Sequence, residues 1–140
     1  LRKAGCESVF LGVESGDSTI LKRVNKRQTN TQVLKVAEIC KKTDLKLVAS
    51  FIMGFPWEKE SNIDKTISLA KNLKADQSVW FLFHPDIGSP IYQDFDKFGI
   101  KVINEDPDDC IKVGESHVET KYINKEKLEN LYLKAILSTS

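Results

Sequence analysis

The sequence predicts an α/β fold built on about three parallel strands, and three observations carry that expectation. Three apolar runs each end in a polar, glycine-containing turn: Val9-Phe10-Leu11-Gly12-Val13-Glu14-Ser15-Gly16, Leu47-Val48-Ala49-Ser50-Phe51-Ile52-Met53-Gly54-Phe55-Pro56 and Val79-Trp80-Phe81-Leu82-Phe83-His84-Pro85-Asp86-Ile87-Gly88-Ser89-Pro90. The glycines at 12, 54 and 88 are about 40 and then about 35 residues apart, room for one helix between successive strands. The runs are continuous rather than alternating, the pattern of strands covered on both faces in a parallel sheet. In such sheets the carboxyl ends of the strands carry the site, so functional residues are expected just after each run.

The elements follow in order. Leu1-Arg2-Lys3-Ala4 reads as the tail of a helix stopped by Gly5 before the first strand. Asp17 or Ser18 can cap a short helix over Thr19 to Val24, its side-chain oxygen accepting from an orphan N–H. Asn25 to Gln28 is a polar connection, and Thr29 to Lys42 a helix with Val33, Val36, Ala37 and Cys40 on one face. The second strand is expected from Lys46 to Met53. Ser61 to Leu73 follows as a helix facing Ile63, Ile67, Ala70 and Leu73 inward, with Ser61-x-x-Asp64 as a capping box. The third strand covers about Ser78 to Phe83. Then the alternation lapses: a short helix from Pro90 to Phe98 ends at Gly99, Ile100 to Ile103 is extended, Glu105 to Asp109 is an acidic loop or helix start, and Lys112 to Thr120 has no clear pattern. Asn124 caps a last helix with Leu128, Leu131, Tyr132, Ala135 and Ile136 in one stripe.

Totals narrow the function classes. At 140 residues the chain is about one domain in size, with 41% hydrophobic and 29% charged residues, an ordinary globular composition. A net charge of +1 without a basic stripe argues against nucleic acid as a partner, and no run is long enough to span a membrane. Cys6, Cys40 and Cys110 have no metal-ligand spacing and cannot all pair, which suits a reducing cytoplasm. The chain begins at Leu1 within a helix-like segment, so it reads as a piece of a longer protein.

Three motifs in order, Leu11-Gly12-Val13-Glu14-Ser15-Gly16, Phe51-Ile52-Met53-Gly54-Phe55-Pro56-x-Glu58 and Pro85-x-x-Gly88-Ser89-Pro90-x-Tyr92, resemble radical S-adenosylmethionine (SAM) enzymes. Within that superfamily they are most similar to cobalamin-domain-linked Fe–S oxidoreductases labelled magnesium-protoporphyrin IX monomethyl ester oxidative cyclase, and methylthiotransferases share much of the pattern. The resemblance implies the C-terminal half of a partial (β/α) barrel over residues 1–98, with 99–140 as a C-terminal extension ending in an amphipathic helix. It implies an enzyme that reductively cleaves SAM to a 5′-deoxyadenosyl radical and oxidises, methylates or cyclises an unactivated carbon of a small-molecule substrate. Such enzymes hold a [4Fe–4S] cluster through C-x-x-x-C-x-x-C. That motif is absent here, so the resemblance places the cluster ligands in an upstream barrel half, leaves the segment alone inactive, and allows cobalamin in the parent.

By the same resemblance the cofactor-binding residues are Glu14, Ser15, Ser50, Ile52, Gly54, Phe83 and His84, with no catalytic or metal-binding residue in the segment. Glu14 would accept from ribose hydroxyls or offset the sulfonium, or else pair with a nearby Lys or Arg. Ser15 would touch the ligand, or else join Asp17 in capping the next helix. Ser50 stands where some relatives carry aspartate. Ile52 and Gly54 would lie against adenine, Gly54 by lacking a Cβ, unless Gly54-Phe55-Pro56 is only a turn. Trp57 excludes a left-handed backbone at its position, and Glu58 is expected to complement the following helix N-terminus. Phe83 and His84 would border adenine and substrate, whereas Trp80, Phe81 and Phe83 side chains read as core packing. Two rivals stay open: a binding module without redox chemistry, and a barrel hydrolase or aldolase using Glu14 with His84. Half a barrel leaves an unpaired strand edge and an uncovered face, which invites a homodimer of the segment.

Overall fold

The computed structural model describes residues 1–104 and 114–139. A single 3-10 turn, Arg2–Ala4, is closed by Gly5 at φ 86° and leads into β1 (Ser8–Glu14). The chain continues through α1 (Ser18–Arg23), α2 (Asn30–Lys42), β2 (Lys46–Met53), α3 (Glu60–Leu73) and β3 (Gln77–Leu82). Beyond these come α4 (Pro90–Gln93), α5 (Phe95–Phe98), β4 (Ile100–Val102), β5 (Val118–Thr120) and α6 (Lys125–Thr139). The acidic run 105–109 and Cys110 lie outside the described residues.

The main sheet has the order β1-β2-β3 with both pairs parallel; β4 and β5 form a separate antiparallel pair. Sequential order with right-handed crossovers puts α2 and α3 on the same face of the sheet. The architecture is therefore α/β, singly wound, compatible with a partial (β/α) barrel followed by a C-terminal helix.

Local chemistry explains the boundaries. Asp17 caps α1 by accepting from the N–H groups of Thr19 and Ile20. Thr29 caps α2 rather than opening it, and Gln32 reaches back to the Thr29 N–H at 2.9 Å. The expected Ser61-x-x-Asp64 box is displaced by two residues: Asn62 Oδ1 accepts from the Lys59 N–H at 2.8 Å, and Asp64 instead pairs with Lys134 of α6 at 2.8 Å. The single helix expected over 90–98 is two, because Asp94 ends α4 and caps α5 through the Lys97 N–H. Asn124 caps α6 through the Lys127 N–H at 2.9 Å.

The sheet has two unlike faces. Leu47, Ala49, Phe51 and Met53 of β2 are buried against the helices, with Val13, Trp80, Ile63, Ile67, Ala70 and Leu73 in the same core. Phe51 stacks on Trp80 at 4.5 Å between ring centroids. Each fully buried side chain of this size contributes about 1.5–3 kcal/mol. Helix α6 belongs to this core: Leu128, Leu131, Tyr132 and Ala135 are buried in it. Its end is tied across β3 by the Trp80 indole N–H, which donates to Thr139 Oγ1 at 2.9 Å, and by Tyr132 Oη donating to the Trp80 carbonyl at 3.3 Å.

The alternate residues, Phe10 and Gly12 on β1, Val48, Ser50 and Ile52 on β2, and Val79 and Phe81 on β3, share the other face by register. No helix covers it among the described residues, and Phe10 and Phe81 are 66% and 49% exposed. This corrects two expectations. The strands are covered on one face rather than both, because both crossovers pass on the same side. Phe81 belongs to the open face, not to the helix-facing core.

Candidate functional site

Glu14 is where the carboxyl end of the open face acquires its chemistry. Register with β2 slips between Gly12 and Glu14, a bulge that leaves Val13 without a partner, and Glu14 takes a left-handed φ of 64°. That backbone folds the carboxylate back over Gly12: a Cβ there would lie 2.7 Å from Glu14 Oε1 and 3.1 Å from Lys26 Nζ. Gly12 is thus the residue that leaves room for the carboxylate on the open face, beside its register partner Ser50. Lys26 Nζ donates to Glu14 Oε1 at 3.0 Å, and Glu14 Oε2 has no protein partner among the described residues. The Gln28 amide closes the bulge by donating to the carbonyls of Gly12 and Val13 at 3.2 and 2.8 Å.

The next residues turn inward. Ser15 has no solvent exposure; its Oγ lies 3.1 Å from Thr66 Oγ1 and accepts the Asp17 N–H at 3.1 Å. Thr66 Oγ1 also accepts the Gly16 N–H at 2.9 Å. Gly16 is required by proximity, since a Cβ would lie 2.6 Å from the Lys65 carbonyl oxygen. Asp17 is buried, and Oδ2 accepts from Lys65 Nζ at 2.7 Å and from Asn62 at 3.0 Å. Burial works to raise the Asp17 pKa, but the hydrogen bonds from Lys65, Thr19 and Asn62 outweigh it and hold the carboxyl well below its usual range. The Ser15-Gly16-Asp17 segment is thereby a polar clip fastening the first turn to α3, and the Ser15 hydroxyl does not reach the open face.

The second turn is built around a carboxylate that the motif reading had assigned elsewhere. Glu58 is wholly buried; Oε2 accepts the N–H of Gly54 at 2.7 Å and of Phe55 at 3.3 Å, while Oε1 has no partner among the described residues. It therefore holds the turn that precedes it instead of complementing the N-terminus of α3. Burial pushes its pKa up to about 7 against those two donors, with the Asp17 carboxylate adding to the rise. Gly54 is required, at φ 93°, but its open side is not available to a ligand: a Cβ would lie 2.6 Å from Leu128 Cδ2 of α6. The approach expected of adenine there is taken by Leu128. Trp57 keeps an ordinary backbone and packs edge-on against Phe98, with Arg23 over its ring at 5.4 Å.

At the third strand end the Phe83 N–H donates to the Met53 carbonyl at 2.8 Å, and its ring lies 5.4 Å from Phe55. His84 is at the surface, edge-on to His117 at 5.8 Å; partial burial, then His117, lower its pKa. Glu14 and His84 thus have different neighbours, Lys26 and His117, and no Glu14–His84 pair of the kind the hydrolase rival needs occurs among the described residues.

The structure brings Glu14, Ser50 and Ile52 to the open face, puts Phe83 and His84 directly after the end of β3 with Phe83 hydrogen-bonded to Met53, and withdraws the Ser15 side chain and the Gly54 surface. Lys26, Gln28, Thr66 and the inward role of Glu58 are additions. No group of three or more His, Cys, Asp or Glu able to hold a metal occurs among the described residues. Cys6 precedes β1 and Cys40 lies near the end of α2, so both are at the amino end of the sheet, away from Glu14. No helix among the described residues is long and apolar enough to cross a membrane.

Residues 1–70 match the family described as the Radical SAM superfamily. An uncharacterised methyltransferase of Pyrococcus horikoshii is 31% identical over 93 residues, 66% of this chain and 20% of that protein. A tRNA-2-methylthio-N(6)-dimethylallyladenosine synthase of Clostridium botulinum is 36% identical over 87 residues, 61% of this chain and 19% of that protein. The corresponding synthase of Ehrlichia canis is 33% identical over 84 residues, 59% of this chain and 19% of that protein. The chain spans about a fifth of the length of these curated relatives. With its first half matched to the family and the parallel strands ending in the motifs above, this chain belongs to the radical SAM superfamily.

Proposed function

We propose that the chain supplies the SAM- and substrate-facing strand ends of a radical SAM catalytic barrel, residues 1–98, with 99–140 as an extension, and that the cluster is held upstream. The observation that carries this reading is the Glu14 carboxylate, placed by a bulge and a left-handed backbone over Gly12 at the carboxyl end of an open sheet face. The cluster and SAM supply the reductive C–S cleavage and the hydrogen abstraction that follows.

The chain's own residues bind and orient. Glu14 accepts ribose hydroxyls or faces the sulfonium through the oxygen that Lys26 leaves free, while Lys26 fixes the carboxylate. Ile52, with Ser50 and Phe81 on the same face, offers an apolar wall to adenine. Phe83 and His84 border the ligand at the end of β3. Ser15 and Gly54 are positioning residues, acting through Thr66 and Glu58 respectively. Among oxidation, methylation and cyclisation, group transfer is favoured because the relatives' names describe a methyltransferase and methylthiolating synthases. We place the protein in the cytoplasm, where Cys6 and Cys40, the free thiols among the described residues, are kept reduced.

The test is anaerobic reconstitution of the full-length protein with iron and sulfide, then reduction in the presence of SAM. The expected result is 5′-deoxyadenosine, reduced at least tenfold by Glu14→Gln. Unchanged yield in Glu14→Gln removes the role given to Glu14; no cluster and no cleavage favours the binding module. The same assay with and without cobalamin reads its involvement.

A further inference from the structure

Positive charge is concentrated beside Glu14. Residues 18–37 contain Lys22, Arg23, Lys26, Arg27 and Lys35 and no Asp or Glu, in a chain whose net charge is +1. The turn from α1 to α2 is tight: Asn25 adopts φ 55° and the Lys26 N–H returns to the Leu21 carbonyl at 2.8 Å. It borders an open hollow of about 320 Å³ lined by Lys22, Asn25, Lys26, Arg27, Gln28 and Thr29.

Two of these cations have no carboxylate partner among the described residues. Among the described residues Lys22 and Arg27 make no ion pair, and Arg23 lies over Trp57; Lys26 alone meets a carboxylate. A place in the last turn of α1 gives Lys22 and Arg23 a weak helix-end attraction but no ion partner, Lys26 is taken by Glu14, and Arg27 lies beyond that six-residue helix with neither. Thr29, which lines the hollow, is also the N-cap of the thirteen-residue α2, and its reciprocal hydrogen bonds with Gln32 already satisfy two N–H groups of that helix end, so the side-chain cations are what the hollow offers an anion. Lysine point charges with an arginine fork suit phosphate oxygens.

We propose that the α1–α2 loop binds a phosphate group carried by a small-molecule substrate, with Lys22 and Arg27 as the anion-contacting residues at the rim of the Glu14 site. A small open hollow, without a basic stripe running on from it, has room for one mono- or diphosphate group and offers no extended track for a polymer. The assignment to substrate rests on the reading that the carboxyl end of the sheet is the reacting side; the anion site itself does not.

Calorimetric titration of the full-length protein with inorganic pyrophosphate tests it. Saturable binding at one site is expected, weakened at least tenfold in Lys22→Ala/Arg27→Ala and in Lys22→Gln/Arg27→Gln. It should be unchanged in Lys41→Ala/Lys42→Ala, which removes equal charge at the opposite end of α2. No saturable binding, or equal weakening in both pairs (an unspecific charge effect), overturns the site. An unstructured RNA oligonucleotide bound more tightly than pyrophosphate through the same two residues overturns the small-molecule assignment. Because the readout is binding, failure of SAM cleavage in a protein that still binds pyrophosphate counts against the proposed function alone.

Discussion

Glu58 accepts the backbone N–H of Gly54 at 2.7 Å from a position with no solvent exposure, and its other oxygen has no partner among the described residues. A buried carboxylate left half-satisfied is destabilised as an anion, and the strand-end turn of β2 is coupled to a proton by this means.

The coupling has a sign. The Glu58 pKa is raised from an ordinary 4.5 to about 7 in the folded protein. Its contribution to stability is complete below about pH 4.5, declines as pH rises, and is lost above about pH 7. A shift of that size corresponds to about 3 kcal/mol. Asp17 acts in the opposite sense: its lowered pKa stabilises above the ordinary 3.8 and is lost in acid. Together they place the stability maximum of these two sites near pH 4–5. Urea midpoints from pH 4 to 8 should decline toward neutrality, and Glu58→Gln, which keeps an acceptor for Gly54, should flatten that decline. A wild-type profile that is flat or rises over this range rejects the assignment.

Gly54 answers to α6. Its φ of 93° and the 2.6 Å approach of Leu128 mean that Gly54→Ala meets both backbone strain and a clash. Strain of this kind costs about 1–3 kcal/mol, with the clash in addition. Leu128→Ala alone costs about 2–5 kcal/mol by leaving a cavity. Combined, the two should destabilise by less than the sum of the single changes, because the added methyl then enters the space Leu128 vacates. Additive losses in a double-mutant cycle would separate Gly54 from Leu128.

Much of this was readable in the chain. The bounds of β2, Lys46–Met53, follow from a continuous apolar run between polar ends, and the stripes of α3 and α6 follow from helical spacing. What was hidden depends on partners distant in sequence. Ser15 and Thr66 are 51 residues apart, so the inward turn of a hydroxyl that looks ligand-facing in its motif is invisible locally. Gly54 and Leu128 are further apart still. Lys26, twelve residues after Glu14, was legible only as part of a polar connection, since α1 decides that the loop returns to the strand end. Glu58 lay in plain view, but its direction is set by which side of the turn is dry.

Glu14 carries strain that a stability criterion alone would remove. A left-handed φ of 64° costs a non-glycine residue roughly 1–2 kcal/mol, and its partly buried pair with Lys26 returns at most about 1 kcal/mol. Glu14→Gly should leave the melting temperature unchanged or raised, with 5′-deoxyadenosine formation down at least tenfold. Loss of stability by more than about 2 kcal/mol would make Glu14 a structural residue.

The open face sets the behaviour of the 140-residue segment when it is produced alone. β1 and β3 each pair on one side only in the three-stranded sheet, and Phe10 and Phe81 stand 66% and 49% exposed on the uncovered face. Free edges next to exposed aromatics favour association, which buries both at once. A second copy satisfies them without any added element, so the segment should dimerise and show no SAM cleavage. Analytical ultracentrifugation should find a concentration-dependent dimer, shifted toward monomer by Phe10→Ser/Phe81→Ser. A segment strictly monomeric from micromolar to millimolar concentration would show that this face is stable in water as it stands, and the association would have to be abandoned.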